Sequence, residues 1–234
     1  MPIVRRDIML LPGLDGTAQL FTRFIAAAPP HLSLTPVALP PEPLGYAALA
    51  DRIVPMLPPR PLVLIAESYS GPLALAIAER RHVVGLILCN SFVSAPRAPA
   101  LRWLARPSVM SLRPPALLLR RYMLGDGADD ALVREVATTI ASVAPAVLAR
   151  RIRSVLALDD ARRFAQCTVP TLYLRGRDDR LVPDSSWRSM SRLRPLTIAA
   201  IPGPHLLLQT QPAPAWEAIL PFIESLSAAA ESTT

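Results

Sequence analysis

Apolar residues gather into six short runs, at 8–11, 34–39, 62–66, 83–89, 170–175 and 196–201, most of them ending in Gly, Pro or polar residues. Brief, Leu/Ile/Val-rich runs with such ends read as buried strands. Between them, apolar positions recur at helical spacing over 17–28, 45–57, 70–81, 184–193 and 213–227. Strand alternating with helix predicts an α/β fold: a mostly parallel sheet of about six strands with helices on both faces. In such a sheet the turns that follow the strands share one edge, where α/β folds place their chemistry.

Three of those turns carry reactive side chains. Leu62-Val63-Leu64-Ile65-Ala66 runs into Glu67-Ser68-Tyr69-Ser70-Gly71, a strand breaking sharply at a serine flanked by small residues. That layout strains the backbone, exposes the hydroxyl and aims the next N–H at the carbonyl under attack. Ser68 is preferred over Ser70 as nucleophile, because Pro72 suits the first turn of the helix that follows. The run 171–174 ends in Arg175-Gly176-Arg177-Asp178-Asp179, and the run 196–201 in Pro202-Gly203-Pro204-His205. The chain order is therefore Ser, Asp, His. A hydroxyl needs a neutral imidazole to take its proton, and the imidazole needs a carboxylate to fix its tautomer. His31 and His82 precede predicted strands and read as solvated loop histidines; Asp15 reads as turn chemistry and Glu67 as a polar strand end.

This constellation resembles the α/β-hydrolase superfamily. Gly176-x-x-Asp179-x-x-Val182-Pro183 is similar to that superfamily's acid turn, so the resemblance implies Asp179 as the acid, with Asp178 the alternative. It also implies an oxyanion hole formed by the backbone N–H groups of Leu14, in the turn Pro12-Gly13-Leu14, and of Tyr69. The core would comprise 1–92 and 166–228, with 93–165 a helical cap inserted after the fourth strand and 229–234 a loose tail. Cap helices are expected near 101–106, 116–123, 130–142 and 145–158, and the antiparallel strands that commonly lead this fold look absent. The implied activity is a serine hydrolase acting on a carboxylic ester or thioester with a hydrophobic acyl group, without cofactor or metal. Leu11-Pro12-Gly13-Leu14-Asp15-Gly16-Thr17, with Glu67 before Ser68, is similar to the motifs of plant phytyl ester synthase-type acyltransferases. Size and cap plan are similar to bacterial pimeloyl-acyl-carrier-protein methyl ester esterases. Acyl transfer to an alcohol, C–C bond cleavage on the same triad, and a non-catalytic binding module are the alternatives.

Composition narrows the picture further. At 234 residues and 51% hydrophobic, the chain can bury one large core. Its 25 basic residues are all arginine and give a net charge of +7. Nucleic acid is not expected, since no basic patch interleaved with aromatics accompanies that charge. Arg97, Arg102, Arg106, Arg113, Arg120 and Arg121 cluster in the expected cap, where they would suit an anionic acyl carrier protein or simply form a solvated face. Arginine without lysine, with much Ala and Pro, points to a GC-rich bacterial genome, a compositional inference. No run reaches the roughly 18 apolar residues of a membrane span, no signal peptide opens the chain, and Cys89 and Cys167 are expected as free thiols. Together these features predict a cytoplasmic protein.

Overall fold

The computed structural model describes residues 7–96, 106–111 and 114–231. Its strands are β1 (Asp7–Leu11), β2 (Ser33–Pro36), β3 (Leu62–Glu67), β4 (Val83–Cys89), β5 (Thr171–Gly176) and β6 (Thr197–Ile201). They form a single sheet in the order β2-β1-β3-β4-β5-β6, with every pairing parallel. All of β1 and β3 is buried, which is why both are nearly continuous apolar runs rather than alternating ones. Alternation persists within them as a division between the two faces. Met9, Leu11, Leu64, Ala66 and Leu88 enter one core cluster, while Ile8, Leu10, Val63, Ile65 and Ile87 enter another.

Helices cover both faces: α1 (Thr22–Ala26), α2 (Tyr46–Ile53) and α3 (Ser70–Ala78) precede β4. Between β4 and β5 lie α4 (Pro107–Met110), α5 (Ala116–Leu119), α6 (Asp130–Ala141), α7 (Pro145–Leu156) and α8 (Ala161–Gln166). After β5 come α9 (Asp184–Leu193), α10 (Leu207–Thr210) and α11 (Pro212–Glu231). On the α1/α11 side, Trp216 stacks on Phe24 at 4.5 Å and donates its indole N–H to the Phe24 carbonyl at 2.8 Å. The β4–β5 insertion is anchored by Leu119, Leu124, Leu132 and Val136, which pack with Leu20 and with Leu206, next to His205.

Several boundaries differ from expectation. The helix expected over 17–28 is a 3-10 turn, Gln19–Phe21, followed by the short α1, because left-handed Ala18 (φ 65°) breaks any helix begun earlier. The strand expected over 34–39 covers Ser33–Pro36, with one further bond from the Val37 N–H to the Leu10 carbonyl at 2.9 Å. The helix expected over 45–57 finishes in a 3-10 turn, Val54–Met56, at Pro55. The segment expected as a helix over 116–123 begins as α5 and widens into a π-helix, Arg120–Leu124. α10 was not anticipated, and α11 runs to Glu231, into the stretch expected to be loose. Most of the helix expected near 101–106 lies outside the described residues, as do Arg97, Arg102 and Arg113. Neither cysteine is disulfide-bonded, and among the described residues no single helix is long and apolar enough to cross a membrane.

Candidate active site

The break after β3 puts Ser68 at φ 48°, a left-handed conformation that costs an L-residue on the order of 1–3 kcal/mol. Neighbours on β4 and the residues after it hold it there. The Ser68 N–H donates to the Cys89 carbonyl at 2.8 Å, and the Ser91 hydroxyl donates to the Ser68 carbonyl at 2.6 Å. Gly71 permits that approach, since a Cβ there would lie 1.9 Å from Ser91 Oγ. The glycine thus stands where α3 crosses Ser91, one place later than in the commoner Gly-x-Ser-x-Gly form. Ser70 is fully buried and donates its hydroxyl to the Pro12 carbonyl. It ties α3 to the loop after β1, whereas Ser68 remains half-exposed.

His205 meets that hydroxyl. Its Nε2 lies 2.9 Å from Ser68 Oγ, and its Nδ1 lies 2.9 Å from Asp179 Oδ2. With neutral imidazole, Nδ1–H donates to Asp179 and the Ser68 O–H donates to Nε2. Asp179 Oδ1 accepts the N–H groups of Leu181 and Val182 at 2.8 and 3.0 Å, which orients the carboxylate. The adjacent Asp178 faces elsewhere: it accepts the Gly203 N–H at 3.1 Å and donates its own N–H back to the Gly203 carbonyl at 2.9 Å. It is therefore Asp179, not Asp178, that reaches the imidazole. His31 and His82 are exposed and take no part. Burial pushes the His205 imidazole down, but the charge and hydrogen bond of Asp179, helped by Glu67, outweigh it and hold the pKa above its ordinary value.

Asn90, just past β4, is a residue that strand patterning does not single out. It sits buried at φ 45° and donates its side-chain amide to the carbonyls of Pro204 and His205 at 3.1 and 2.8 Å. Its Oδ1 accepts the Gly176 N–H at 2.7 Å. One side chain thereby pins the acid turn after β5 and the histidine turn after β6 to the end of β4. The only hint in the sequence is an amide in a run of small residues at a strand end.

Leu14 lies in the loop that Ser70 ties to the start of α3, and Tyr69 follows Ser68 in the chain; among the described residues neither backbone N–H donates to another backbone carbonyl. The Pro12–Thr17 turn is closed by Gly16 N–H to the Gly13 carbonyl at 3.1 Å. Asp15 supports it by accepting the Thr17 N–H and hydroxyl at 2.8 and 2.7 Å, the expected turn role. Glu67 is more than a strand end. It is 1% exposed and accepts one hydrogen bond, from Gln209 Nε2 on α10 at 3.0 Å, while Oε1 has no partner. Burial pushes its pKa up to about 7, and nearby Asp15 adds to the rise, against the opposing pulls of Gln209 and His205.

A cleft of about 440 Å³ opens behind the Gly203–Pro204 turn, with Arg23, Leu132 and Gln209 on its wall; Ser68, Asp179 and His205 do not line it. Among the described residues, no group of three or more His, Cys, Asp or Glu side chains is placed to hold a metal ion. Arg120, one of the insertion arginines, is engaged by the Asp130 carboxylate and the Ala128 carbonyl.

Among curated proteins none matches the sequence. Solved structures share the fold at low identity. An esterase from Thermogutta terrifontis, with malate bound, superposes with a TM-score of 0.79 at 20% identity, covering 94% of this chain and 90% of that one. The enol-lactonase from Burkholderia xenovorans LB400 gives 0.81 at 15% identity, covering 94% and 91%. A bromoperoxidase from Bacillus anthracis gives 0.81 at 13% identity, covering 94% and 92%. Proteins named for such different activities on one fold leave the reaction to be argued from the site itself. Residues 8–218, nearly the whole sequence, match the alpha/beta hydrolase family, and the chain belongs to it.

Proposed function

We propose that this protein is a serine hydrolase that cleaves a carboxylic ester or thioester through an acyl-enzyme on Ser68. The observation that carries the reading is the relay Ser68–His205–Asp179, with both links at 2.9 Å and the serine held at φ 48°. His205 Nε2 takes the Ser68 proton as Oγ attacks the acyl carbon. Negative charge then develops on the carbonyl oxygen, where the Leu14 and Tyr69 N–H groups receive it; each such donor is worth roughly 3–4 kcal/mol in the transition state. Imidazolium, stabilised by Asp179, passes its proton to the leaving alcohol or thiol, and the acyl group stays on Ser68. Water enters, gives a proton to His205 and attacks the ester; collapse returns the proton to Ser68 and releases the acid. An alcohol entering in place of water would make the same chemistry an acyl transfer. The packing of Leu124 and Leu132 from the insertion with Leu206, the residue after His205, supports a hydrophobic acyl group.

Intact mass after fluorophosphonate treatment tests this directly. The parent should gain one phosphonyl group, and Ser68→Ala should gain none. Labelling of both would move the nucleophile, and labelling of neither would remove the hydrolase reading.

A further inference from the structure

We infer that Arg151, on α7 of the β4–β5 insertion, is a positioning residue that sets the geometry of the oxyanion hole. The inference rests on the serine-hydrolase reading above and assigns a role that reading does not contain.

Arg151 is 1% exposed and is the largest fully buried side chain among the described residues. A guanidinium taken out of water needs partners, and among the described residues it finds backbone carbonyls rather than a carboxylate. Nη1 donates to the carbonyls of Leu14 and Asp15 at 2.9 and 2.7 Å, and Nη2 donates to the Pro40 carbonyl at 3.1 Å. Two consecutive carbonyls are thus held on one nitrogen, which fixes the Leu14–Asp15 and Asp15–Gly16 peptide planes, the pair that directly follows the Leu14 N–H. The same guanidinium lies 6.0 Å from the centre of the Tyr69 ring, and Tyr69 stacks on Tyr46 at 4.8 Å. One cation therefore bonds the Leu14 carbonyl and lies over the Tyr69 ring, the two residues whose N–H groups the proposed mechanism uses.

Gly16 supplies an independent observation. It sits at φ +68°, and a Cβ there would fall 2.3 Å from Arg151 Nη1 and 2.7 Å from Cζ. The turn is built around the guanidinium: both its left-handed residue and the missing side chain make room for it. A core filler would not need charge, and Met or Leu would occupy the volume without desolvating a cation. What they could not do is bond two adjacent carbonyls. Because α7 belongs to the insertion, the oxyanion turn is held by a segment outside the sheet.

The test compares parent, Arg151→Lys and Arg151→Met on p-nitrophenyl butyrate and on an alkyl trifluoromethyl ketone, whose hemiketal oxyanion occupies the same hole. Lysine keeps the charge but lacks the planar fork that reaches several carbonyls at once. Both variants should lose about 10- to 100-fold in kcat with KM within about threefold, and the ketone should weaken in proportion to kcat/KM. An unchanged kcat with only a lower melting temperature would overturn the inference, as would a lower kcat with ketone affinity intact. If Arg151→Met does not fold, Gly16→Ala carries the same test, since it leaves Arg151 in place and puts a methyl where the guanidinium lies. A parent that fails to turn over the ester, or to take up fluorophosphonate on Ser68, defeats the hydrolase reading itself.

Discussion

On the His205 side of Ser68, the side-chain ties run between strand ends: Asn90 clasps Gly176, Pro204 and His205, and Asp178 is laced to Gly203, while the insertion adds the Met123 carbonyl, which accepts the Leu206 N–H at 2.8 Å. On the Leu14 side, the loop after β1 is held by Ser70 from below and by a guanidinium that arrives from the β4–β5 insertion. The Ser68–His205–Asp179 chain of hydrogen bonds, the relay of the proposed mechanism, is therefore built from turns that follow parallel strands, which such a sheet brings to one edge. In the proposed mechanism the turn that carries Leu14 leans on Arg151, outside the sheet, so substituting Arg151 would alter stabilisation of the transition state without removing any hydrogen bond of the relay. In an alpha/beta hydrolase, that separates two functions usually considered together: activating the nucleophile and stabilising the charge it creates.

The difference can be sharpened by substitution, beginning with the relay. Asp179→Asn should lower kcat by about 10³- to 10⁴-fold, because an amide favours the wrong imidazole tautomer, whereas Asp178→Asn should cost less than about tenfold. Steady-state turnover of an activated ester separates the two adjacent carboxylates. In the parent, the acid limb of the pH–rate profile should lie above the ordinary imidazole value of 6.5, because activity needs neutral His205 and Asp179 holds its pKa up against burial.

Asn90→Ala would loosen the histidine side without touching the oxyanion side. It leaves the Gly176 N–H without its acceptor and two carbonyls without a donor, so a loss of about 2–4 kcal/mol in unfolding free energy is expected. A drop of about 10- to 100-fold in kcat should accompany it through misplacement of His205. Ketone affinity relative to KM should change less than in the Arg151 variants. Urea unfolding and inhibition assays check both parts.

Glu67 lies between the two halves, bonded to Gln209 on α10 and close to Asp15 in the oxyanion turn. Its carboxyl titrates near 4.5 in the unfolded chain and about 7 in the fold, so between those values the native state holds a proton that the unfolded state has released. The contribution is full below pH 4.5 and is lost as pH rises to about 7, by roughly 3 kcal/mol. Glu67→Gln should remove that slope and raise the melting temperature above pH 7 relative to the parent. It should also lower the acid limb of kcat/KM slightly, since ionised Glu67 helps hold the His205 pKa up, with kcat changing less than about tenfold.

The sheet and the order of its reactive turns were legible in the chain because their causes are short-range. Apolar runs such as Leu62–Ala66 must be buried, and turns such as Pro202–Pro204 end them. From those facts follow a parallel α/β sheet and Ser68, Asp179 and His205 gathered at its edge. The extent of the elements was less legible where a single backbone angle decides it: left-handed Ala18 breaks a pattern that periodicity reads as one helix.

Other features belong to the tertiary structure alone. Whether Asp178 or Asp179 reaches the imidazole depends on the direction of the backbone in the turn, which adjacent identical residues do not encode. Asn90 bonds partners 114 and 115 residues away, and Arg151 reaches Asp15 across 136 residues. In the sequence Arg151 is one of many arginines; only the packing of α7 over the oxyanion turn decides that it is buried and what it holds. Local patterning fixes which residues must leave water, but a long-range hydrogen bond depends on where two separately formed elements come to rest against each other.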